Sequence, residues 1–172
     1  VNGLIDETAA DSGAAYVYTI PQPPPVRYVN PSATGANNGS SWTDASNSLQ
    51  DALAAAQPGD EIWVITGTYY PSNGPDRNAS FNIPAGVKLI GGFTGTESDP
   101  SERNIAANPT VLSGDIGMKG NHTDNSYHVV IPGEGAVLDG LTIQYGYANG
   151  GAADQKKGAG VWLNDVSASI VN

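Results

Sequence analysis

The stretch that decides the fold is Asn47–Ile65, NSLQDALAAAQPGDEIWVI. Its first half carries Leu49, Ala52, Leu53 and Ala56 at i, i+3, i+4 and i+7, one apolar stripe on a helix. Asn47 fits the N-cap, with Gln50 three residues on as its capping-box partner. Pro58-Gly59 ends the helix. The stripe is narrow and rich in Ala, so the helix is expected to lie close against something flat. Immediately after it the period changes. Ile62-Trp63-Val64-Ile65 is an unbroken apolar run too short for a helix, and it reads as a buried strand.

The same kind of burst recurs downstream between Gly, Asn and Pro. Val87–Ile90, Val111-Leu112, Val137-Leu138 and Val161–Leu163 follow Ile62–Ile65, and their first residues (62, 87, 111, 137, 161) step by 25, 24, 26 and 24. A less regular series falls between them: Tyr69-Tyr70, Phe93, Val129–Ile131, Leu141–Ile143 and Ile170-Val171. Short strands at a step of roughly 24 residues are the signature of a β-solenoid, whose layers bury their inner faces only against each other. The expectation is an all-β chain: a parallel β-helix of about four coils, an N-terminal capping α-helix and an extended N-terminal strand.

Upstream, Arg27-Tyr28-Val29 reads as a strand and Asn30–Trp42 as a long Gly/Asn/Ser loop. Ahead of both, Ala14, Ala15, Tyr16, Val17, Tyr18, Thr19 and Ile20 form a strand-like run with nothing before it to pair with. It is followed by Pro21, Gln22, Pro23, Pro24 and Pro25, which favour polyproline II, about 15 Å of semi-rigid spacer at roughly 3 Å per residue. The chain therefore divides into an extension (1–20), a spacer (21–25) and a capped parallel β-helix (26–172). It begins at Val1 rather than Met, which implies a removed leader or a piece of a longer chain.

Composition agrees with this architecture. With 22 Gly and 12 Pro but only 14% charged residues, the 172-residue chain has a turn-rich all-β profile. The net charge of −10 argues against nucleic acid and against anionic membrane surfaces, since no basic patch can neutralise phosphates. No apolar run reaches membrane-spanning length, so no membrane insertion is expected. The chain has no cysteine, which excludes disulfides and thiolate metal sites. An acidic, Lys-poor chain suits a secreted or cell-surface location.

From Tyr28 onward the chain resembles the N-terminal part of secreted bacterial right-handed parallel β-helix proteins, the pectate-lyase-like superfamily in its broad, adhesin-type sense. The residues that carry this are RYVNPSATGANNGSSW, SLQDALAAAQPGDEIWVITGTYYP, FNIPAGVKLIGGFTGTESDPSERN, VLSGDIG and VLDGLTIQYGYANGG with GAGVWL. The resemblance implies that the helix of Leu49, Ala52, Leu53 and Ala56 caps the N-terminal end of the β-helix. Separately, DETAADSGAAYVYT is similar to the closing strand of an FG-GAP repeat, the blade unit of integrin-type propellers.

Candidate chemistry is sparse. A lyase needs a basic residue beside a uronate carboxylate, and a hydrolase needs paired carboxylates. The arginines are Arg27, Arg77 and Arg103; the carboxylates whose spacing offers a stack are Asp115, Asp139 and Asp165, better read as turn residues. His122 and His128, six apart, read as a solvated loop and a strand edge. Asp6, Glu7 and Asp11 are the candidates for weak Ca²⁺ binding, with a solvated loop favoured; no cofactor is expected. Sequons stand at Asn38, Asn78 and Asn121. Trp63, Tyr69, Tyr70, Tyr145, Tyr147 and Trp162 offer aromatic faces for a surface glycan, or stack within the coils.

The expected function is non-enzymatic: an extracellular structural module that self-associates or joins flanking domains of the same chain. The isolated strand Ala14–Ile20 is the candidate donor, added to a neighbour's unfinished β-helix as a filament contact. A surface adhesin belongs to the same reading. A carbohydrate-binding or polysaccharide-active domain is the alternative.

Overall fold

The computed structural model describes residues 23–171. The strand Ala14–Ile20, Pro21, and the Asp6, Glu7 and Asp11 cluster lie outside the described residues. Ten short strands and one α-helix, besides three single-turn 3-10 helices in the loops, follow in the order β1 (Val26–Val29), α1 (Leu49–Ala55), β2 (Glu61–Ile65), β3 (Gly67–Tyr69), β4 (Phe81–Ile83), β5 (Lys88–Phe93), β6 (Thr110–Ser113), β7 (Val130–Pro132), β8 (Ala136–Asp139), β9 (Leu141–Gln144) and β10 (Ala168–Val171). The fold is all-β with strands in parallel sheets. A first sheet has the order β1-β2-β5-β8-β10, a second β3-β6-β9, and a third pairs β4 with β7. Every strand pairing is parallel. From β2 onward the chain visits the sheets in a fixed order, first, second, third, and a single bridge from Val161 to Val130 marks the third sheet on the last pass.

Side chains alternate along each strand, so each sheet has an inner and an outer face. Ile62, Leu89 and Leu138 lie in register on the first sheet, Tyr69 and Leu112 on the second, Phe81 and Val130 on the third. All are buried in one apolar cluster, each such side chain contributing about 1.5–3 kcal/mol. Leu49, Ala52, Leu53 and Ala56 of the helical stripe belong to that cluster, and α1 packs against β1, β2 and β4. The small alanines let the helix approach the earliest strands closely, as the Ala-rich stripe predicts.

A second apolar cluster sits on the outer face of the first sheet. Trp63 stacks on Phe93 at 4.8 Å, and Trp42 packs on Phe93 at 5.4 Å and on Tyr28 at 4.7 Å. The Trp42 indole donates to the Glu97 carbonyl at 2.8 Å, so the loops after β1 and β5 are pinned over this face.

Two local expectations are corrected. The N-cap is Ser48, whose Oγ accepts the Asp51 N–H at 3.1 Å. Asn47 is drawn away because the loop after β1 leaves carbonyls free: its amide donates to Asn30 O at 3.1 Å and Ala33 O at 2.8 Å. Gln50 likewise donates to Pro71 O and Ser80 O instead of closing a capping box. The uniform step of 24 is also not the structural register. Val111 lies in the second sheet and Val161 bridges in the third, while partners along the first sheet stand 35 (Val26↔Glu61), 27 (Glu61↔Lys88), 49 (Lys88↔Val137) and 32 (Val137↔Ser169) residues apart. Loops of unequal length separate strands whose pairing is regular.

Of the spacer, Pro23, Pro24 and Pro25 are exposed and run straight into β1. The Pro25 carbonyl accepts the Glu61 N–H at 2.9 Å and so opens the β1–β2 ladder.

Candidate binding site

The connections that leave the second sheet are long on every pass: residues 70–80, 114–129 and 145–160. Because Tyr69, Leu112 and Ile143 are in register, these three loops start one above another. Arg77 ties them together. Its Nε donates to Asn125 O at 2.7 Å and its Nη2 to Tyr147 O at 2.8 Å, while the guanidinium lies 4.1 Å over the Tyr127 ring. Tyr127 N–H donates to Arg77 O, Tyr147 N–H to Ser126 O, and the Gln155 amide to Asn78 Oδ1.

Between the second and third of these loops is a cavity of about 210 Å³, lined by Asp115, Gly120, His122, Asn125 and Tyr145. Both Asp115 carboxylate oxygens accept the Gly120 N–H, at 2.9 and 3.1 Å, which closes the loop around one side. Asn125 is only 3% exposed, and its Oδ1 meets no donor; Asp124 Oδ1 and Ser126 Oγ are buried and unpartnered beside it in sequence. Tyr145 is 59% exposed and sits at φ +61°, a left-handed backbone rarely taken by a bulky residue. Gly114 permits this turn: a Cβ there would stand 2.6 Å from the Tyr145 carbonyl. His122 meets Tyr147 edge-on at 5.2 Å. Lys119 Nζ lies 3.2 Å from the Tyr70 ring centroid and donates to the Asp115 carbonyl.

A model described as "Protein of unknown function (DUF1565)" matches residues 32–172. The chain belongs to the DUF1565 family. No curated protein and no solved structure matches it. The DUF1565 match covers the helix and all three long loops, and leaves out Ala14–Ile20 and the proline spacer.

Within this DUF1565 chain the sequence candidates separate. Asp115 borders the cavity, Asp139 ends β8 and pairs with Arg103 at 2.9 Å, and Asp165 occupies a turn at φ +55° before β10. The three stand at separate places, one in a strand and two in different loops, and form no stack. Each arginine is engaged: Arg27 with Asp60 at 2.7 Å, Arg77 with the loops, Arg103 with Asp139 and the Gly91 carbonyl. Burial alone would raise the Asp60 carboxyl, but the Gln57 N–H and the Arg27 guanidinium outweigh it and hold Asp60 below the ordinary range.

His122 is exposed as expected, but His128 is not a solvated edge residue. It is buried, stacked on Trp162 at 4.6 Å, with Nδ1 3.2 Å from Gly158 O. Of the aromatics, Trp63 and Tyr69 are core, and burial pushes the Tyr69 hydroxyl pKa up; Tyr70 and Tyr145 face solvent. Among the described residues no group of three His, Asp or Glu side chains is arranged to hold a metal ion, and no helix is long and apolar enough to cross a membrane. Sequence reasoning missed Asn125 and Ser126. Their only signal is a polar run, NHTDNSY, that breaks the apolar bursts.

Proposed function

We propose that the chain is a right-handed parallel β-helix of about four coils that serves as a non-enzymatic extracellular structural module, capped by α1 at one end and continued at the other by β structure stacked on β10. The fixed order of visits to three parallel sheets supports the β-helix, parallel crossovers are overwhelmingly right-handed, and DUF1565 is associated with parallel β-helix proteins. One column of residues carries the reading. Ile62, Leu89, Leu138 and Ile170 are in register along the first sheet; the first three are at most 1% exposed, and Ile170 is 63% exposed. Leu163 and Val171 on the same last pass are about half exposed. A layer laid on β10 would bury Ile170, worth about 1 kcal/mol or more, and pair the strand's free backbone groups.

The direction of assembly follows from sheet order. β1 and β10 are opposite edges of the first sheet, and the proline spacer leads into β1. The described part of the spacer, Pro23–Pro25, enters the edge opposite β10, so donation of Ala14–Ile20 to a neighbour's β10 would be head-to-tail and build a filament.

Sedimentation velocity and electron microscopy test this on the full chain, a chain lacking residues 1–25, and Ile170→Lys. The full chain is expected to assemble and both variants to stay monomeric, with Ile170→Lys as stable as the parent. Assembly of the truncated chain sinks the donor strand. A monomeric full chain at high concentration sinks self-association altogether.

A further inference from the structure

We propose that Ala14–Ile20 pairs with β10 of another molecule and not within its own chain, in one register: parallel, with Ala15 beside Ala168 and Val17 beside Ile170. This rests on the reading of β10 as an edge that further β structure covers, and it fixes the occupant, its direction and its alignment.

A strand placed just ahead of β1 has two edges of the first sheet within its own chain. The near edge is closed. The loop after β1 folds back along it: Tyr28 N–H donates to Gly39 O at 3.0 Å, Ser46 N–H to Tyr28 O at 2.8 Å and Asn30 N–H to Ser46 O at 2.9 Å, and Ser46 bridges Val29 in parallel. Ahead of Val26, Pro24 and Pro25 have no N–H to give a ladder. The far edge is out of reach. The first sheet runs β1-β2-β5-β8-β10, so a strand laid on β10 stands five spacings from β1, about 24 Å at roughly 4.8 Å each. Six residue steps separate Ile20 from Val26, about 21 Å even at a full extension of roughly 3.5 Å per residue. A parallel strand needs more chain still, because Ile20 at its far end must be led back to the start of β1. The β10 of a second molecule carries no such limit.

The register follows from columns that the first sheet already stacks. Two columns face inward and end on β10: Ala136 with Ala168, and Ile62, Leu89 and Leu138 with Ile170. Two face outward: Val137 with Ser169, and Asp139 with Val171. Alternate residues of a strand share a face, so either Ala15, Val17 and Thr19 turn inward or Ala14, Tyr16, Tyr18 and Ile20 do. The second choice drives tyrosines into the apolar column, where each hydroxyl needs a partner. The first choice, laid parallel, continues the alanine column with Ala15 and covers Ile170, now 63% exposed, with Val17. Tyr16 and Tyr18 then lie on the outer face beside Ser169 and Val171, with their hydroxyls in water. A shift by two residues sets the Thr19 hydroxyl on Ile170. Reversal about Val17 sets Thr19 on Ala168. Every strand pairing among the described residues is parallel, and the run Ala14–Ile20 carries no charge.

The chain has no cysteine, so paired substitutions report contacts directly. Full-length chains carrying Val17→Cys and Ile170→Cys are mixed and oxidised mildly, and the disulfide that joins them is identified by mass spectrometry. The same is done for Ala15→Cys with Ala168→Cys, for the reversed pair Thr19→Cys with Ala168→Cys, and for the shifted pair Thr19→Cys with Ile170→Cys. Residues directly opposite on neighbouring strands fall within disulfide range, so the first two pairs are expected to cross-link about tenfold faster than the last two. The double variant Val17→Cys/Ile170→Cys is expected to give a ladder of covalent oligomers on a denaturing gel. A disulfide closed within one chain would mean pairing in its own molecule and overturns the proposal. Faster reaction of the reversed or shifted pair overturns the register and leaves the donor strand. If reduced chains assemble in sedimentation velocity and no pair cross-links, the donor strand is wrong and self-association stands. If the parent and all variants stay monomeric, both fail.

Discussion

Replacing Glu97 by Gln should remove about 3 kcal/mol of stability at neutral pH and nearly nothing at pH 2. Glu97 is 8% exposed, in the loop after β5. Its Oε1 accepts the Thr94 N–H and hydroxyl, both at 2.8 Å; its Oε2 accepts the Gly95 and Thr96 N–H groups, both at 3.0 Å. Burial by itself raises the carboxyl, but these donors overcome it and hold the pKa at about 2 against 4.5 for a free side chain. At about 1.4 kcal/mol per pH unit, that gap corresponds to about 3 kcal/mol. The folded state binds the proton more weakly than the unfolded chain. The contribution is therefore complete above pH 4.5 and is lost as pH falls through 2. Gln turns an NH₂ toward N–H donors, as the protonated acid turns its O–H, so the two proteins converge in acid. Urea unfolding followed by tryptophan fluorescence suits the measurement, because Trp42 is anchored on the Glu97 carbonyl. Asp60 and Asp99 also have depressed carboxyls, but they are common to both proteins and cancel in the difference. A gap below about 0.5 kcal/mol at pH 7, or one that persists unchanged at pH 2, would refute the reasoning.

Packing and capping give further expectations. A Cβ on Gly91 would stand 2.7 Å from the Gly140 carbonyl, a Leu141 methyl and Thr110 Cβ, so Gly91→Ala should cost about 1–3 kcal/mol or more in thermal melting, whereas Gly151→Ala, with open space and an ordinary backbone, should stay within about 0.5 kcal/mol. Ser48→Ala should cost about 1 kcal/mol in urea unfolding through loss of the cap on Asp51 N–H; no change would return the cap to Asn47.

Much of the architecture was legible because strand bursts are local. Ile62–Ile65, Val137-Leu138 and Leu141–Ile143 all fall within strands, and the stripe of α1 is buried as the periodicity requires. Register was not legible. It is set by which strands meet across loops, and the even step of 24 arose from bursts on different sheets. The strand Phe81–Ile83 went unseen because three residues between polar loops carry too little pattern, although Phe81 is fully buried in the core. The cap moved by one residue because a distant loop competes for Asn47. The cavity was the least legible part. Tyr145 stood out as an aromatic and Asp115 as a turn acid, but only the folding of loop 114–129 on itself and against the next loop puts Asn125 beside them.

The placement of β1 and β10 at opposite edges of the first sheet has a mechanical consequence. Tension applied through the two ends of the described chain acts along the ladder hydrogen bonds, so the strands are peeled singly and not sheared together. Each peeled strand pays out the chain up to its partner. Separations of 27 (Glu61↔Lys88) and 49 (Lys88↔Val137) residues become released lengths of about 95 and 170 Å at roughly 3.5 Å per residue. Pulled in a single-molecule instrument, the molecule would yield at low force in unequal steps, and the step lengths would spell out its loops in order.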